Sequence, residues 1–152
     1  MRQALADFPR KDEVSVRIHA FLLQPELDQT LDESEPDFLA RTKGMTRDEV
    51  EKALESVSAL ARQDGIELDW DSTKVAPTTN AHRLVGLARE IDIENDTTTG
   101  PDTLELRVHE ALQRSRFQYG MDVANPESLI NLAQDFDIDG SRVLAALESQ
   151  ET

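Results

Sequence analysis

The residue types that could do chemistry are few in this chain, and their spacing is poor for it. The three histidines, His19, His82 and His109, fall on separate predicted elements. They form neither a His-Glu-x-x-His motif nor an i,i+4 pair, which are the spacings that put two imidazoles on one metal. Serine, histidine and aspartate are all present, but no Gly-x-Ser-x-Gly turn presents a nucleophile. Asp135-Phe136-Asp137-Ile138-Asp139-Gly140 imitates the start of a calcium loop. The twelfth position counted from Asp135 is Ala146 rather than a bidentate glutamate, and Phe136 and Ile138 suit a core better than an ion site. The chain has no cysteine, so by itself it forms no disulfide, thiolate zinc site or thiol nucleophile. No Gly-rich phosphate loop occurs. The reading is therefore of no catalytic residue, no metal and no cofactor.

Three residues remain as candidates for binding a substrate: His82, Asn80 and Trp70. His82 and Asn80 sit where a loop opens a helix. His82 either orients the loop at Pro77 or faces a ligand groove from the polar side of that helix, together with Gly86 and Arg89. Trp70, between Asp69 and Asp71, is either a core-edge aromatic or a ligand platform.

Composition narrows the classes of partner. The 152 residues carry 16 Lys and Arg against 31 Asp and Glu, a formal charge of −15. That balance argues against nucleic acid, whose phosphates need a basic face, and against an anionic membrane. A hydrophobic content of 38% suffices for a single lean core, in a chain long enough to bury roughly 70% of its unfolded surface. Met1–Phe8 lacks the apolar stretch of a signal peptide, which leads to the expectation of a cytoplasmic protein.

The elements that must position these residues are mostly helices. Residues 2–8 read as the end of a helix stopped by Pro9. Val14, Val16, Ile18, Ala20 and Leu22 alternate with Ser15, Arg17 and His19, the period of a strand. Ser34-Glu35-Pro36 caps a short helix that Gly44 ends. Thr46 and Glu49 make a capping box for a helix with Val50, Ala53, Leu54, Val57 and Leu60 on its apolar face. Residues 66–70 alternate briefly, as a second short strand would. Thr78 or Thr79 caps a helix whose apolar face is Ala81, Leu84, Val85, Ala88 and Ile91. Asp92–Gly100 reads as a mobile polar loop, and Pro101 as the start of the longest helix. Asn125 and Asp139 cap two more. The fold class expected is mainly α, about six helices, with one strand and possibly a second short one. A lone strand forms no sheet, so residues 14–22 either pair with another chain, as in a homodimer, or are covered by helices.

As a series of phrases the chain resembles the DsbA-like thiol-disulfide oxidoreductases, in particular the FrnE-type branch. Ala76-Pro77-Thr78-Thr79-Asn80-Ala81-His82-Arg83-Leu84 looks like the phrase that opens a helix of that family's inserted helical domain. Leu5-Ala6-Asp7-Phe8 and Phe21-Leu22-Leu23-Gln24-Pro25 resemble its first helix and following strand. Phe38-Leu39-Ala40-Arg41 with Gly44-Met45-Thr46, then Gly65-Ile66-Glu67-Leu68-Asp69, then Pro126-Glu127 with Leu129, Leu132 and Ala133, follow in the family's order. The resemblance implies a thioredoxin fold with a helical insertion and protein or peptide thiols as substrates.

The family's Cys-x-x-Cys falls just upstream of Met1 and its cis-proline strand beyond Thr152. The resemblance therefore implies a single domain over 1–152 that appears truncated at both ends. Residues 1–24 would be a remnant of the thioredoxin-fold helix and edge strand, and 25–152 the helical insertion. Two functions follow as expectations. One is a member or fragment of this oxidoreductase family that is inactive alone. The other is a non-catalytic helical binding module for a peptide or small ligand.

Overall fold

The computed structural model describes residues 2–149. Within them the chain forms seven α-helices: α1 (Arg2–Ala6), α2 (Glu35–Lys43), α3 (Arg47–Gln63), α4 (Thr79–Glu94), α5 (Leu104–Tyr119), α6 (Pro126–Gln134) and α7 (Gly140–Glu148). Helix ends follow the local chemistry. Ser34 Oγ accepts the Asp37 N–H at 3.2 Å and Pro36 sits in the first turn of α2. The Thr46–Glu49 capping box closes both ways, with Thr46 N donating to Glu49 at 2.8 Å and Glu49 N to Thr46 Oγ1 at 3.3 Å. Asn125 accepts from Ser128 N at 3.1 Å and Asp139 from Ser141 N at 2.7 Å. Each of these side chains satisfies a donor that the helix leaves free.

Two starts depart from the sequence reading. Thr78 stands at the N-cap of α4 but its hydroxyl makes no capping bond. Helix α5 begins at Leu104 rather than Pro101, because Thr103 takes the Leu106 N–H at 3.4 Å and the Asp92 carboxylate takes those of Leu104 and Glu105. Helix α3, with 17 residues, is longer than α5, with 16.

The core lies among α4, α5, α6 and α7. Leu84 and Ala88 of α4, Val108 of α5, Leu129 and Ala133 of α6 and Val143 of α7 are fully buried. The apolar face read for α4 is the buried one, and Ile138 joins the core from the α6–α7 connection. Helices α2 and α3 form a hairpin beside this bundle. Trp70 fastens the chain after it: its indole N–H donates to Ser58 Oγ of α3 at 2.9 Å, and its ring meets Phe117 of α5 edge-on at 5.8 Å. The face of α3 that packs runs through Val50, Leu54 and Ser58, whereas Val57 and Leu60 are exposed.

Neither expected strand forms among the described residues. Residues 14–20 are extended, with Val14, Val16 and Ile18 half-buried and Ser15, Arg17 and His19 exposed. The alternation was real, but no second strand lies alongside. The backbone instead bonds to α5 and the loop before it, Ile18 N to Glu105 Oε1 at 2.7 Å and Gly100 N to Val14 O at 2.9 Å. At 66–70 the Asp69 N–H goes to Phe117 O at 2.7 Å, outside any ladder. A single antiparallel bridge joins Ser34 and Lys74. The loop after α4 is also tied down, by Thr97 Oγ1 on Asp92 at 3.0 Å and by the buried Gly100 and Pro101. Among the described residues no helix is long and apolar enough to cross a membrane.

Candidate functional site

The extended arm at 14–20 lies across the bundle and leaves a groove of about 730 Å3 between itself, α4 and α7. The volume falls in the usual range for small-ligand sites. Helix α4 contributes one stripe at helical spacing, His82, Gly86, Arg89 or Glu90, and Ile93, with Arg83 and Val85 beside it. The arm adds Arg17, Ile18, His19 and Ala20, and α7 adds Arg142 and Ala146. Glu105 of α5 closes one side. Four arginines thus face two glutamates in a chain whose formal charge is −15.

The charges differ in how they are held. Arg142 forms a two-point pair with Glu94 at 3.0 and 2.8 Å. The Arg83 guanidinium donates from Nη1 to the Leu147 carbonyl at 2.8 Å, while its Nε is buried without a partner. The buried Glu105 carboxylate accepts the Ile18 N–H and so anchors the arm. Gly86 sits inside the helix where a Cβ would meet nothing within 4 Å. A mid-helix glycine costs about 1 kcal/mol relative to alanine, and here its lack of a side chain leaves the groove floor open.

His82 is half-buried. Burial pushes its imidazole below the ordinary histidine value, and the Phe21 backbone partly offsets this. His109, on α5, is pushed down by burial and further by the nearby His82, with Glu110 opposing. Its Nε2 lies 3.2 Å from Gln113 Nε2. Both rings therefore favour the neutral form. Among the described residues no group of three metal-ligating side chains occurs.

Of the three candidate binding residues His82, Asn80 and Trp70, the groove takes His82 alone. The Asn80 amide donates to the Ala124 carbonyl at 2.9 Å and so holds the α5–α6 connection. Trp70 is engaged with Ser58 and Phe117. Sequence reading missed Arg17, Arg142 and the role of Arg89. The polar stripe of His82, Gly86 and Arg89 is visible from helical spacing. That the arm and α7 complete it is not.

Among solved structures, that of a probable DsbA oxidoreductase from Streptomyces coelicolor is similar, with a TM-score of 0.74 and 26% identity over 97% of this chain. The chain spans 58% of that structure's length. No protein-family model and no curated protein matches it. The fold of this chain is mainly helical and DsbA-like.

Proposed function

We propose that this chain is a member or fragment of the DsbA-like protein disulfide oxidoreductases, of the FrnE-type branch, and that alone it does not exchange thiols and disulfides. The observation that carries the family is the structural likeness at TM-score 0.74 across 97% of the chain. The redox step requires a thiolate to attack a disulfide sulfur, and the sequence holds no cysteine. Protein or peptide thiols are the substrate class this reading implies, met through a catalytic part carrying the Cys-x-x-Cys and cis-proline. Reduction of insulin by dithiothreitol, followed as turbidity, tests it. The purified chain is expected to leave the rate at that of dithiothreitol alone, and any acceleration overturns the claim.

A second reading, a non-catalytic helical binding module for a peptide or small ligand, is favoured by the groove at His82. In either case the extended 14–22 segment, which has no ladder partner among the described residues, is the surface on which we expect two copies to pair.

A further inference from the structure

We propose that the groove between the arm, α4 and α7 binds a small organic dianion, an apolar body carrying two acidic groups. This deepens the binding-module reading by giving it a ligand class. The first support is the state of the arginines. Among the described residues eight arginines hold an acidic partner within ion-pair distance. Such pairing is expected where acids outnumber bases nearly two to one. Arg17 and Arg89 form no such pair, although both line the groove. Of the two glutamates there, Glu105 is committed to the Ile18 N–H, and Glu90 lies close enough to Arg142 to favour its charge. With Glu94 held on Arg142, four arginines face three carboxylates, so the groove carries a small net positive charge inside an otherwise negative molecule, and such a cleft concentrates anions.

The second support is Arg83, which lines the groove without an ion-pair partner among the described residues and is held in place by its bond to the Leu147 carbonyl. The third is the floor. Ile18, Val85 and Ala146 supply apolar surface, and Gly86 keeps it clear. An apolar body lying over Gly86 with its acidic groups on the guanidinium groups would use both features. Arginine forks bind such oxygens in two-point pairs.

The probes are benzene-1,3-dicarboxylate, its uncharged diamide and inorganic phosphate, titrated into the full chain by calorimetry and by amide NMR. The dicarboxylate is expected to bind, to weaken with added salt, and to shift the Gly86, Ala20 and Ala146 amides. The diamide is expected not to bind. R17Q/R89Q should weaken the dicarboxylate at least tenfold, while R10Q, outside the groove, should not. G86L fills the floor while improving helix propensity, so it should keep the fold and lose binding. The proposal is overturned if the dicarboxylate fails to bind, if it binds R17Q/R89Q or G86L as well as the parent chain, or if the shifted amides lie elsewhere. Phosphate binding as tightly as the dicarboxylate overturns the organic part of the assignment. The insulin assay and these titrations fail independently, so either result leaves the other reading standing.

Discussion

Asp92 shows how much one side chain settles in this molecule. It sits in the last turn of α4, buried, and its two oxygens accept the N–H groups of Leu104 and Glu105 at 2.9 and 2.8 Å and the Thr97 hydroxyl at 3.0 Å. One carboxylate thus caps the following helix, meets the positive end of its dipole and folds the intervening loop. Asp92→Ala would leave two backbone donors without their acceptor, at about 1–3 kcal/mol each. We expect a loss of about 2–4 kcal/mol in urea unfolding, with Asp92→Asn intermediate because one acceptor remains. The sequence showed Asp92 only as the first residue of a polar loop. Nothing in its neighbours announces a helix start a dozen positions away. Gly120 is the opposite case. It was legible as the stop of α5, and its φ of +64°, with the Ser72 carbonyl oxygen where a Cβ would crowd it, explains why glycine is required.

At the scale of elements, the arm is where pattern and outcome part. Its alternation correctly indicated an extended segment with one inward face, and Val14, Val16 and Ile18 do turn inward. Alternation reports which side chains share a face, whereas a strand also needs a neighbour to bond with. Here the inward face packs on helices, and Phe21 and Leu23 beyond it are 74% and 85% exposed. An extended segment with free backbone groups pairs readily. Light scattering across a concentration series is expected to show a dimer, and Phe21→Ser with Leu23→Ser to return it to monomer. A parent chain that stays monomeric at high concentration counts against pairing. The helices were more legible because their caps are local: Ser34, Thr46, Asn125 and Asp139 each act within three residues.

For the molecule as a whole, the response to pH combines two populations of groups that both lose their contribution as the pH falls, in separate windows. His82 and His109 are held below the ordinary histidine value of about 6.5, chiefly by burial. The unfolded chain then binds more protons than the folded one between the folded values and 6.5. Their contribution is complete above about pH 6.5 and is lost as the pH falls through that window. Thermal unfolding is expected to show Tm declining from pH 7 toward 5, and His82→Gln with His109→Gln to flatten that decline. An unchanged slope in the double variant rules the histidines out. The exposed carboxylates Asp37, Glu49, Asp69 and Asp139, at helix starts and a turn, are also lowered, mainly by hydrogen bonds. Their contribution is present above the ordinary carboxylate values and disappears only as the pH falls through the folded ones, so the two windows separate. By itself the sequence determined the helices, the caps at Ser34, Thr46, Asn125 and Asp139, the buried face of α4 and the lack of a thiol in these residues, because all of these depend on residue type and short spacing. Only the tertiary structure decided that the arm finds no strand partner among the described residues, that Asp92 starts α5, and that Arg17, Arg89 and Arg142 share a groove with His82. Those facts join residues tens of positions apart, and packing alone brings them together.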